Sequence, residues 1–116
     1  MKIENTQAQM RKGVLEYCIL SIIERKPAYA SDILEELKEA RLLVVEGTIY
    51  PLLPRLKNAG LLEYRWVESR SGPPRKYYQL TREGQAFKAQ LADTWQELRQ
   101  ATQYITQKPR NHEQNP

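Results

Sequence analysis

Six side chains in the middle of this sequence, Thr48, Tyr50, Arg55, Arg70, Arg75 and Lys76, have the types and spacing to hold a polyanion. Two of them are hydroxyls near the start of a helical pattern, where backbone amides and the helix dipole favour phosphate. Arg55 follows Thr48 by seven residues, which returns it to roughly the same helix face. Arg70, Arg75 and Lys76 sit on or beside the stretch RSGPPR, which reads as a stiff, charged loop between two strands. This is the chemistry of binding, not of bond making. The sequence has no His-carboxylate pair, no metal-ligand spacing, no phosphate-cradling glycine loop and no nucleophile beside a base. An enzyme, a metal site and a cofactor are therefore not expected.

Charge supports the same partner class. The chain carries a formal net charge of +4 over 116 residues, yet residues 1–40 and 83–116 are close to neutral. Residues 41–82 hold eight Lys/Arg against three Asp/Glu, a local balance of +5. All the excess lies in the central block, as expected where many phosphates are neutralised and their counterions released. Charge alone would equally suit an ordinary solvated surface.

At 41% hydrophobic, the chain suits one compact domain plus an extended element. Cys18 is the single cysteine, so no intrachain disulfide can form, and a cytoplasmic setting is expected. The opening residues are polar, and no stretch approaches the ~18 apolar residues of a membrane span. No membrane partner is expected, since the basic residues lie on a hairpin pattern and not along a helix.

Positioning these residues requires particular elements. Met10 to Arg25 repeats apolar residues at three and four residue steps through Val14, Leu15, Cys18, Ile19, Ile22 and Ile23, which predicts a helix closed by Pro27. Residues 29–40 predict a short amphipathic helix with an acidic outer face. Leu42 to Val45 reads as a short strand or a buried turn. From Glu46 to Ala59 the spacing of Ile49, Leu52, Leu53 and Leu56 is helical, although Pro51 and Pro54 oppose it and a kinked or locally opened helix is expected at Pro54. Leu62, Tyr64 and Trp66 alternate as a strand, and Tyr78 with Leu80 supplies the return strand. Glu68 to Arg75 is expected to project beyond them as a loop.

From Thr81, a good N-cap, a helix is predicted to about Gln107, with an apolar seam through Phe87, Leu91, Thr94 or Trp95, Leu98, Ala101 and Ile105. Such a helix reaches roughly 40 Å, longer than this small domain covers, so a second copy of the chain is expected to cover it, with the first helix packed across a two-fold axis. The fold class is thus mainly α with a small β-hairpin: a winged helix-turn-helix plus a long C-terminal dimerisation helix. The expected divisions are a flexible N-terminus at 1–8, the winged unit at 9–80, the dimerisation helix at 81–107 and a disordered tail at 108–116, which holds His112.

The words Tyr29 with its helix, GTIYPLL at 47–53, RLKNAGLLEYRW at 55–66, GPPRKYYQLT at 72–81 and Gly84 together resemble the PadR (phenolic acid decarboxylase regulator) family, in its branch with one C-terminal helix. The resemblance covers nearly the whole chain apart from its ends. It implies a homodimer that binds double-stranded DNA, with a recognition helix in the major groove, a wing at the neighbouring backbone or minor groove, and repression often relieved by a small molecule. The family's recognition-helix pattern falls on Gly47, Thr48, Tyr50, Pro51 and Arg55, and its wing pattern on Gly72, Pro73, Arg75 and Lys76. Two departures stand out: Pro54 replaces an expected polar residue, and Ala30 an expected glycine. In some short members, tryptophans on the last helix line a pocket for flat aromatic molecules at the dimer interface. Trp95, with Leu91 and Leu98, matches such a position, and equally suits an ordinary packed seam. The alternative to a regulator is a winged-helix dimer that serves as a protein-interaction module and binds DNA weakly or without specificity.

Overall fold

The computed structural model of the chain describes residues 1–42 and 46–110. The expected strand or turn before Glu46, and His112 with the end of the tail, lie outside the described residues. Helix α1 runs Ile3–Arg25, β1 is Ala28–Tyr29, α2 is Ala30–Glu39 and α3 is Glu46–Asn58. Strands β2, Leu62–Ser69, and β3, Gly72–Leu80, follow, and α4 spans Arg82–Thr106.

Helix α1 starts well before Met10, so residues 3–8, expected to be flexible, form its first turns. Those turns are largely exposed, with Met10 at 72%. The buried part begins at Leu15 and continues through Ile19, Leu20, Ile22 and Ile23. Cys18 is half-buried within this stripe, and burial pushes its thiol pKa up, which disfavours the reactive thiolate.

After Pro27 the chain is extended, and Ala28 and Tyr29 pair with Tyr78 and Tyr77 of β3. The sheet is therefore three-stranded, in the order β1-β3-β2, where the sequence showed only the hairpin. Two residues carry no readable alternation, which is why β1 was not legible. The Asp32 carboxylate accepts the Tyr29 amide at 3.0 Å and fixes the start of α2. Ile33, Leu34 and Leu37 of α2 join Ile49, Leu53 and Leu56 of α3 and the α1 stripe in one core, with Leu61, Leu62 and Tyr78 at its sheet side. Helix α2 ends on Arg41 at φ 61° and α3 on Gly60 at φ 82°, each reversing the chain in the left-handed region.

Two expectations are corrected. Helix α3 runs unbroken through Pro51 and Pro54, both exposed, so it does not open locally at Pro54. The segment 68–75 is not a projecting loop: β2 and β3 pair out to Ser69 and Gly72 around Arg70 and Ser71, with an irregularity between Val67 and Ser69. Pro73 and Pro74, which lack amide hydrogens, fall at that irregularity, where ladder bonds are already interrupted. In addition, α1 packs on α4 within one chain.

That packing includes a cross-helix ion pair, Lys88 Nζ to Glu24 Oε1 at 2.9 Å. The hydrogen bond to Glu24 raises the Lys88 pKa above its ordinary 10.5, outweighing partial burial. A raised folded-state pKa contributes stability that is full below 10.5 and is lost as pH climbs through the folded value. Lys88→Met is therefore expected to cost less than about 1 kcal/mol near neutral pH, given the exposure of the pair. Urea melts in strongly alkaline solution should show the difference shrinking; a constant gap would mean that the lysine acts through its hydrocarbon stem.

Candidate nucleic-acid interface

The buried residues Ile49, Leu53 and Leu56 define the inner side of α3. Helical geometry then places Gly47, Pro51, Pro54 and Asn58 on the outward ridge, and all four are exposed. Tyr50 and Lys57 flank this ridge on one side, Thr48 and Arg55 on the other. The first flank faces the β2-β3 hairpin across a groove of about 350 Å³, which the start of α2 closes at its end.

Two cations line that groove. Arg75 Nη2 donates to Ser31 Oγ at 2.7 Å, and its guanidinium lies 3.9 Å from the Tyr29 ring centroid. Lys76 Nζ lies 4.7 Å from the ring centroid of Tyr64 and 5.5 Å from that of Trp66. Aromatic rings thus hold both charges in place while leaving N–H donors to spare. A phosphate arriving here would meet cations whose rotamer entropy is already partly lost.

The six residues singled out by spacing do not form one cluster. Tyr50, Arg75 and Lys76 share the groove. Arg70 is exposed at the hairpin turn, beyond it. Thr48 is exposed in the first turn of α3, and Arg55 is drawn toward α1 by an ion pair with Glu16. Arg55 keeps most of its side chain in solvent, so the pair is a weak tether.

Ser31 and Trp66 of the groove were not singled out. Ser31 gave no signal, being one hydroxyl in a helix start. Trp66 had a misleading one: the alternation Leu62, Tyr64, Trp66 marks a single sheet face, but exposure on it climbs from 2% at Leu62 to 61% at Trp66. The hairpin outruns the helices that cover its base.

A second groove, about 90 Å³, lies between α1 and α4, where Leu91, Trp95 and Leu98 face Val14, Glu16 and Tyr17. Leu91 packs against the core, whereas Trp95 and Leu98 are 39% and 57% exposed. Among the described residues, no group of three His, Cys, Asp or Glu side chains could hold a metal ion. No helix among the described residues is long and apolar enough to cross a membrane.

Comparison with known proteins places this geometry. Residues 19–90 match the profile of the transcriptional regulator PadR-like family. A PadR-like transcription factor from Bacteroides fragilis is 59% identical, with a TM-score of 0.74 over 88% of this chain and 99% of that one. A PadR-like regulator from Bacillus cereus is 35% identical, with a TM-score of 0.75 over 87% of this chain and 99% of its own. A PadR family regulator from Eggerthella lenta is 29% identical, with a TM-score of 0.83 over 92% and 94% of the two chains.

Proposed function

Because the chain belongs to the PadR-like family of transcriptional regulators, we propose that it is a homodimeric repressor that binds a pseudo-palindromic operator in duplex DNA. Helix α3 serves as the recognition helix and the β2-β3 hairpin as the wing. Thr48, Tyr50 and Arg55 face the major groove, Arg75 and Lys76 hold backbone phosphates, and Arg70 enters the adjacent minor groove. The observation that carries this reading is the shared groove of α3 and the hairpin, in which Arg75 and Lys76 stand preset beside Tyr50. The groove of Trp95, Leu91 and Leu98 lies along the dimer seam and takes a small aromatic effector that relieves repression.

Fluorescence anisotropy with labelled DNA from upstream of the protein's own gene, against scrambled DNA at two salt concentrations, tests the reading. Preferential binding that saturates at two chains per site is expected. Equal, weak binding to both DNAs would favour an interaction module, the reading to which Pro54 on the outward ridge and the tethered Arg55 lend support. Arg75→Ala combined with Lys76→Ala is expected to weaken binding to every duplex about 100-fold. Each dimer would then leave about four phosphates with their counterions, so the slope of log affinity on log salt should flatten by about 3 to 4. An unchanged slope would remove the wing from the phosphate-binding surface.

A further inference from the structure

The middle of the outward side of α3, between the flanking Thr48 and Arg55 and the flanking Tyr50 and Lys57, has little with which to hydrogen-bond a base. Its outward ridge is Gly47, Pro51, Pro54 and Asn58, so only the last turn offers an amide side chain, and the two prolines lack even backbone N–H groups. In the same groove as Pro54 stands Trp66 of β2, more than half exposed. The cations Arg75 and Lys76 rim the same groove. A polyanion is therefore met by charge at the edge and by apolar surface in the middle.

Within the major groove, one base edge alone presents an apolar group to such a surface. Guanine, adenine and cytosine show acceptors and donors, whereas thymine adds its C5-methyl. We infer that the Pro51 and Pro54 ridge, walled by Trp66, reads thymine C5-methyl groups, so that the operator is recognised by methyl contacts more than by bidentate hydrogen bonds. The inference rests on the DNA-binding reading and adds the base chemistry to it. It also gives Pro54 a use: a ring at this position supplies flat apolar surface without a polar atom that would lose its water in the groove.

The test replaces every thymine of the upstream duplex by deoxyuridine, which pairs identically and lacks only the methyl. Burying one methyl is worth about fourfold in affinity, so two half-sites should lose at least about tenfold together. The salt slope should stay the same, because the protein neutralises the same phosphates in both duplexes. Pro54→Ser, which removes the ring without burdening the helix, should reduce the thymine-to-uracil ratio severalfold. Equal affinity for the two duplexes, with preference over scrambled DNA retained, would overturn the inference while leaving the regulator reading intact. So would a thymine preference that Pro54→Ser does not alter. Failure to prefer the native upstream duplex over scrambled DNA would instead overturn both readings.

Discussion

Alanine in place of Gly84 is expected to lower the melting temperature by about 10 °C or more, corresponding to at least about 2 kcal/mol. A Cβ built on Gly84 would lie 2.1 Å from the Leu61 carbonyl oxygen, 3.0 Å from its carbon and 3.2 Å from Leu80 Cδ2. Two of these are backbone atoms and cannot swing aside as a side-chain tip can. They are also bound into the junction from which both α3 and α4 depart. Thr81 N donates to Leu61 O at 3.2 Å, Thr81 Oγ1 donates to Gly60 O at 2.6 Å, and Gly84 N donates to Thr81 Oγ1 at 2.9 Å. Moving Leu61 to admit a methyl would disturb the end of α3 and the cap of α4 together. The check is a thermal melt of Gly84→Ala beside Gly13→Ala, where, among the described residues, nothing beyond its own helix backbone and chain neighbours lies within 4 Å of the added carbon. Helix propensity would make the second change neutral or stabilising by up to about 1 kcal/mol. Equal melting temperatures for the two variants would show that the junction is softer than its geometry.

The elements that long periodic patterns announce were legible from sequence, because helix and strand periods reflect which face is buried. Helix α4, from Arg82 to Thr106 with Thr81 as its cap, falls within a residue of expectation. Helix α2 and the base of both hairpin strands were also readable. What failed shares one physical cause, dependence on residues far away in the chain. Strand β1 exists because β3 offers an edge to Tyr29 and Ala28, which nothing local to those two residues reports. The wing stays paired to Ser69 and Gly72 because an irregularity absorbs the prolines that argued for a loop. At the site, Arg75 and Lys76 were legible as charges, but the ring contacts that hold them come from Tyr29, Tyr64 and Trp66, brought near by the sheet register. Arg55 shows the reverse: its spacing from Thr48 was right, and a residue of α1 nonetheless claims it.

Glutamate at both Leu98 and Ile105 is expected to give a folded monomer whose operator affinity falls about 10² to 10⁴-fold. Of the 25 residues of α4, Gly84 is the buried one, and the helix leaves Leu98, Tyr104 and Ile105 at 57%, 67% and 72% exposure. A stripe of that kind, continued by Met10 at 72% on α1, needs cover, which a second chain would supply. Two carboxylates per chain placed on it would face their counterparts across the two-fold axis without partners, a cost no rearrangement of the seam removes cheaply. The fold itself should survive, since neither residue belongs to the core; Leu91, which packs against that core, would be a poor choice because its loss confounds folding with assembly. The affinity loss follows from valency. In a dimer, capture of one half-site presents the second unit at an effective concentration near the millimolar range, and a monomer must bind each half-site as an independent event. Sedimentation of the variant with and without operator DNA separates the steps. A monomer that still binds the full operator tightly would mean that one winged unit suffices. A variant that remains dimeric would move the interface away from the C-terminal half of α4, and with it the place of any effector beside Trp95.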